Sequence, residues 1–242
     1  MQKVHLLTPS YDGSLHVAMV KSLIEEVFII KAAGIQVLWD VYPGCCYLPI
    51  ARNMLVKQFM ESDGTDMVFL DGDVNWMPGS VLKLLQWDRD IVAGIYPYKG
   101  EPEAYPVVHV LDADRRPVVD PVTGLIEANA VPTGFMRIRR NVFEAMKEKY
   151  PELQVTDNRD PEKPVTYHCY FDTKQVGETW YGEDIYFCKL WRKIGGRIWV
   201  QPDLTFWHHG PKAWKGNWHD YLRKLPGGGG PPEKEWQFEP RI

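Results

Sequence analysis

Short apolar runs and longer amphipathic stretches alternate along the first hundred residues. Val4–Pro9 is an apolar run that stops at a turn-forming Pro-Ser-Tyr-Asp-Gly cluster, the pattern of a buried strand and its end. From Ser14 onward, Leu15, Met19, Leu23, Val27 and Ile30 recur at helical spacing until Gly34 supplies a stop. Ile35–Val41 reads as a second strand, residues 50–61 as a second helix and Asp66–Asp71 as a third strand. Pro78–Trp87 reads as a helix with Pro in its first turn, and Asp90–Tyr96 as a fourth strand. Repeated βα units predict an α/β fold with a mostly parallel, doubly wound sheet flanked by helices. Residues 100–138 change character: Pro and Gly punctuate short alternating segments, which read as a small antiparallel insert covering one end of the sheet. A helix is expected over about Arg140–Tyr150, then a Pro- and charge-rich loop over 151–164. Phe187, Leu190, Trp191 and Ile194 form the stripe of another helix over 182–194, stopped by Gly195-Gly196, and Arg197–Val200 is the next strand. Residues 225–242 begin with a Pro/Gly-rich stretch that cannot bury apolar surface and read as a flexible tail.

Composition narrows the class. At 242 residues, with 45% hydrophobic positions and ten Trp, the chain has the material for one sizeable core, and disorder over most of it is excluded. No apolar run approaches the roughly 18 residues that span a bilayer. The first strand begins by Val4, leaving no room for a signal peptide, so the expectation is a soluble, cytoplasmic protein. Cys45, Cys46, Cys169 and Cys188 have no metal-ligand spacing and are expected to be free thiols.

Three stretches could carry chemistry. In Phe69-Leu70-Asp71-Gly72-Asp73 an apolar strand delivers two carboxylates one residue apart, at the strand end where α/β sheets bind ligands. Their hard oxygens suit Mg²⁺ or Mn²⁺ bridging to phosphate, although Asp and Gly are also common turn residues. Tyr181-Gly182-Glu183-Asp184 puts two acids into the first turn of a helix, where they also serve as ordinary dipole partners. Trp207-His208-His209-Gly210 follows a strand and a Pro-Asp turn, and a His pair there is either structural or metal-binding. Acids, an acid pair and imidazoles at element ends are together what metal-assisted transfer from a diphosphate requires.

The order of these motifs resembles a glycosyltransferase of the GT-A fold, of the compact family 2 type with a DxD motif. The landmarks are Thr8-Pro9, Ala51-Arg52-Asn53, Leu70-Asp71-Gly72-Asp73, Tyr181-Gly182-Glu183-Asp184 and His208-His209-Gly210, spanning Val4 to Gly210. The resemblance implies one Rossmann-like domain over 1–224, with a nucleotide-binding half at about 1–99 and an acceptor or lid half at about 100–224. It implies that Thr8, Asp40 and Arg52 hold the base and ribose of the donor, with Asp71 on the ribose or the metal and Pro9 and Gly72 also among the donor-binding residues. Asp73 would be the principal metal ligand and His208 the late metal-binding histidine, with His209 as its fallback. Asp184, beside Glu183, matches the general base of inverting members, and Gly134 the place where the donor sugar lies against backbone. Lys99 could reach a phosphate.

A mixed oxygen and nitrogen ligand set favours Mn²⁺ over Mg²⁺. A helix N-terminus stabilises ionised Asp184 and so weakens it as a base. Residues 189–224 hold eight Lys or Arg against two acids, which could steer an anionic acceptor. Trp214, Trp218 and Lys212 lie in a Gly-, Lys- and Trp-containing loop that could close over donor or acceptor. The function expected is transfer of a sugar from a UDP- or GDP-linked donor to an acceptor hydroxyl. A saccharide acceptor is preferred over a hydroxylated base in DNA. A metal-dependent phosphoesterase and a non-catalytic nucleotide-sugar binding module are the alternatives from other classes.

Overall fold

A computed structural model describes residues 2–224, so the expected tail at 225–242 lies outside the described residues. The chain opens with β1 (Lys3–Pro9), α1 (Val17–Ala32), β2 (Gln36–Tyr42), α2 (Leu48–Glu61) and β3 (Asp66–Leu70). β1 pairs in parallel with both β2 and β3, the βαβαβ arrangement that the apolar pattern predicts. Met19, Leu23 and Ile30 form the buried side of α1, and Gly34 leaves the helix at φ 77°. β4 (Val74–Trp76), α3 (Ser80–Leu85) and β5 (Ile91–Ala93) follow. The expected 78–87 helix is shorter than its apolar pattern because Gly79 caps it in the left-handed region at φ 83°.

Next come β6 (Val108–His109), β7 (Ile126–Ala130), β8 (Phe135–Arg139) and α4 (Arg140–Lys149). The expected 151–164 loop instead holds a 3-10 turn and β9 (Gln154–Asp157), which pairs with β10 (Val165–His168). β11 (Lys174–Val176) and β12 (Thr179–Tyr181) form a hairpin leading into α5 (Glu183–Lys193). The chain continues through β13 (Ile198–Val200), β14 (Thr205–His209), β15 (Ala213–Asn217) and α6 (Trp218–Lys224).

The main sheet has the order β2-β1-β3-β8-β5-β13-β7-β6. It is mixed rather than mostly parallel: β8 runs antiparallel between β3 and β5, and β7 runs antiparallel to β13 and β6. The 100–138 segment is therefore part of the sheet itself: it supplies β6 and β7 at one edge and, in its last part, β8 in the middle. Charge concealed this, because Arg137 stands in the middle of β8 and is wholly buried. Its guanidinium donates to the carbonyls of Leu84, Trp87 and Arg89, closing the C-terminal end of α3, with Asp66 at 3.7 Å. Arg140 does the same for α2, donating to Phe59, Met60, Ser62 and Gly64 carbonyls.

Helices cover both faces of the sheet. Leu55, Phe59, Phe143 and Phe187 pack on one face from α2, α4 and α5; Met19, Leu23, Val81 and Leu84 pack on the other from α1 and α3. A second sheet, β15-β14-β4, folds the late part of the chain back beside the end of β3. Among the described residues no helix is long and apolar enough to cross a membrane.

Candidate functional site

β3 ends at Leu70, and the next residues turn sharply at the carboxyl edge of the sheet, with Val74 N–H donating to the Asp71 carbonyl at 3.2 Å. Asp71 is held from three sides. Its N–H donates to the Gly134 carbonyl at 2.9 Å, its Oδ1 accepts from Arg52 at 3.2 Å and its Oδ2 accepts from Tyr96 Oη at 3.2 Å. Each side-chain oxygen thus has a partner that anchors the turn, and Asp71 lines the same cleft as Asp73. Arg52, expected on the nucleotide, is instead buried at 2% exposure beneath the acids. Its Nε lies 3.4 Å from Glu183 Oε1 and its guanidinium rests over the Phe69 ring, so it ties the end of β3 to the start of α5. Burial works against its charge, but Asp71 and Glu183 outweigh burial and hold its pKa above the ordinary value. Gly134 is needed for a different reason from the one expected: a Cβ there would meet Asp71 Oδ2 at 2.2 Å and Tyr96 Oη at 2.4 Å. The space over this glycine is filled by the protein's own side chains, not left for a sugar.

Asp73 has different partners. Antiparallel pairing of β4 with β14 places His208 opposite Val74, and His209 N–H donates to the Asp73 carbonyl at 2.8 Å. His208 Nδ1 lies 2.8 Å from the Pro97 carbonyl, an acceptor only, so this nitrogen carries a proton. Its Nε2 lies 3.6 Å from Asp73 Oδ2. Lys99 pairs with the same Asp73 oxygen, so the carboxylate has cationic or donor groups on two sides. Burial raises the Asp73 carboxyl, but hydrogen bonds from His208 and Lys99 more than reverse this and bring it down to about 2. His209 is engaged elsewhere: its Nε2 donates to Asn75 Oδ1 at 2.5 Å and its ring stacks on His16 at 3.7 Å.

Asp184 sits in the first turn of α5 and accepts from the Ile185 N–H at 2.7 Å. Burial, followed by the adjacent Glu183 charge, pushes its carboxyl up to about 6, against the pull of that hydrogen bond and of Arg52. The helix terminus therefore does not decide its basicity; desolvation does. Tyr98 shares this field, its phenol raised first by burial and then by Asp184.

Between the β1 end and the Asp71-Gly72-Asp73 turn lies a cleft of about 620 Å³, lined by Pro9, Tyr11, His16 and Leu48 among others. Gly72 belongs to its wall, where a Cβ would meet Leu15 at 2.7 Å. Thr8 is fully buried behind the cleft and accepts from Trp39 Nε1 at 3.0 Å. Asp40 is not brought to this turn; it lies beside His5, 3.8 Å away. Trp218, expected in a lid, is 1% exposed, stacked on His109 and part of the core. Trp214 and Lys212 do flank the site, on the β14–β15 hairpin, with Lys212 paired to Glu101. The basic excess of 189–224 is largely spent internally: Arg192 and Arg197 both bond Glu127, and Lys189 and Lys215 lie over Tyr181 and Trp207.

Tyr96, Tyr98, Asn75 and His16 were not legible as site residues. Tyr96-Pro97-Tyr98 follows an apolar strand and carried a signal, an aromatic pair at a strand's carboxyl end; Asn75 and His16 carried none. The sequence matches no known family profile and no curated protein.

Proposed function

We propose that the protein is a nucleotide-sugar-dependent glycosyltransferase of the GT-A type. The observation that carries this reading is the division of labour among acids near the end of β3: Asp73 is held strongly ionised beside His208 and Lys99, while Asp184 is raised to about 6. One is built to face a cation and the other to take a proton. The 620 Å³ cleft beside Asp73 has the size of a site for a nucleotide-sized ligand. Asp73 and His208 fit a divalent cation: they would offer it a carboxylate oxygen and the imidazole Nε2 in place of Lys99 and the Nε2 proton, and the Pro97 carbonyl orients the imidazole, as the outer partner of a metal-bound histidine does. Such a cation would neutralise charge developing on a leaving diphosphate.

The chain's own groups account for the remaining steps. Asp184 accepts the proton of the acceptor hydroxyl as its oxygen bonds to the anomeric carbon, and the bond from that carbon to the diphosphate breaks. Attack in one step inverts the anomeric centre. Lys99, paired with Asp73 here, would be freed toward the phosphate oxygens by a metal cation held at Asp73. Arg52 and Tyr96 keep Asp71 fixed, so that the turn carrying Asp73 does not move relative to α5. Among the described residues no group of three His, Cys, Asp or Glu side chains is placed to hold a metal. Phosphate oxygens and water would complete the coordination sphere, as is usual for Mg²⁺-type sites. Two-metal phosphoester cleavage would need a denser ligand set.

The test is thermal melting with UDP, GDP and their sugar conjugates, with and without Mn²⁺, on the wild type and on Asp73→Ala. Ligand at 100 times its dissociation constant adds about 2.7 kcal/mol to stability. A metal-dependent shift with one nucleotide family, absent in the variant, is the expected result. No shift with any nucleotide overturns the proposal.

A further inference from the structure

A second, smaller groove of about 240 Å³ opens between the 97–103 segment and the β14–β15 hairpin. Tyr98, Glu101 and Glu103 line it on one side and Lys212, Trp214 and Lys215 on the other. Its walls are built on the residues that fix the candidate site. Trp214 stands directly opposite His208 in the β14–β15 ladder, and the Pro97 carbonyl holds the His208 ring. Lys99 in the same segment pairs with Asp73, and the Tyr98 phenol lies in the field of Asp184.

We propose that this groove is the acceptor subsite and that it takes a single neutral pyranose ring, stacked against Trp214 and Tyr98. The inference rests on the glycosyltransferase reading given above.

Three features select that chemistry. The walls combine aromatic faces with hydrogen-bonding groups of both kinds, carboxylates that accept and ammonium groups that donate, which suits the mixed apolar faces and hydroxyl rim of a sugar. The groove is charge-balanced, Glu101 and Glu103 against Lys212 and Lys215, whereas a nucleic-acid acceptor would require a surplus of cations along its phosphates. The Trp214 indole N–H is buried without a hydrogen-bond partner, an unmet donor of a kind that native proteins seldom leave. Lys212 now lies over the Trp214 ring and bonds Glu101. A ring entering the groove displaces Lys212 from the indole face and gains its ammonium as a donor to a hydroxyl. The volume admits one ring and not a chain, so further acceptor units would extend into solvent.

The experiment is saturation-transfer NMR on the full chain with methyl glucopyranosides, galactopyranosides and mannopyranosides, a duplex oligonucleotide, and UDP or GDP with Mn²⁺. It is repeated on Trp214→Ala and Trp214→Phe, each checked by its melting curve. Ring protons of at least one pyranoside receive saturation from the wild type. Binding weakens by about tenfold in Trp214→Ala and is largely kept in Trp214→Phe, which retains an aromatic face. Absence of transfer to every pyranoside, transfer indifferent to Trp214→Ala, or Trp214-dependent binding of the oligonucleotide in place of the sugars overturns the proposal. Pyranoside binding that depends on Trp214 while neither nucleotide binds supports the groove as a sugar site and refutes the donor reading instead.

Discussion

The proton affinity of a carboxylate follows its surroundings more than its identity, and the two acids proposed to work here show how far surroundings move it. Asp73, with His208 and Lys99 against it, is pushed down to about 2, and Asp184, desolvated and beside Glu183, is pushed up to about 6. For Asp184 the sign has two consequences. As a base it must be ionised, so kcat/KM should fall about tenfold per pH unit below about 6, measured with saturating cation across pH 4.5–8. In folding, a carboxyl that binds its proton more tightly when folded than at its ordinary value of 3.8 costs stability on ionisation. That cost is absent below about pH 4, grows through the interval and is complete above about 6. Asp184→Asn keeps the size and removes the charge. It should abolish turnover, leave nucleotide binding intact and raise stability at pH 8 by about 1–3 kcal/mol, with the gain fading toward pH 4. Melting curves at the two pH values check the stability half, and retained turnover in the variant refutes the base assignment. The sequence alone pointed the other way on basicity, because it shows the helix N-terminus beside Asp184 and not the burial that outweighs it.

Secondary-structure elements carry the next level, since the acids come from β3 and α5 and are joined through α2. Arg52 is the joint: buried on α2, it reaches Asp71 on one side and Glu183 on the other. Arg52→Met leaves two mostly buried carboxylates without their cation and should cost about 3–5 kcal/mol in urea unfolding. Arg52→Lys keeps the charge but not the fork, and should cost less. In Arg52→Lys variants that remain folded, a weakened counter-charge beside Asp184 moves the acid limb of the pH profile upward. Gly134→Ala tests the same joint from the β8 side: its Cβ would drive Asp71 from Tyr96, with an expected cost of about 1–3 kcal/mol and weaker donor binding measured by calorimetry. β1, α1, α2 and β3 were legible in the sequence because local apolar pattern and tertiary burial agree there; β2 was legible from its pattern alone, as an edge strand that leaves Leu38 and Trp39 exposed. β8 was not, because Phe-Met-Arg-Ile-Arg reads as a charged edge until the carbonyls that accept from Arg137 are known. Arg52 was legible as a landmark and misread in role, since a buried arginine and a ligand-binding one have the same letter and the same neighbours in sequence.

The whole molecule explains why His208 can meet Asp73 although 134 residues separate them. The β14–β15 hairpin reaches the first half of the chain through β4, a strand of three residues, and is fixed from behind by α6. Trp218 at the start of α6 stacks on His109 at 5.3 Å, and Tyr221 packs on Tyr105 at 5.0 Å, so the last helix clamps the 105–109 segment on the far side of the hairpin. The sequence placed Trp218 with Trp214 in a closing loop because both occur in one Gly- and Lys-containing stretch. Only the tertiary fold separates them, four residues apart, into a core anchor and a groove wall. The two therefore differ in what their removal does. Trp218→Ala removes a fully buried indole and should lower unfolding stability by about 3–5 kcal/mol by urea denaturation, with His208 presentation and cation-dependent nucleotide binding weakened together. Trp214→Ala, at a partly buried position in the groove wall, should cost less stability. A Trp218→Ala protein that melts like the wild type and loses only ligand-dependent protection would return this residue to a lid. A large, ligand-independent loss identifies it as the anchor by which the C-terminal helix holds the histidine strand in register with the acidic turn.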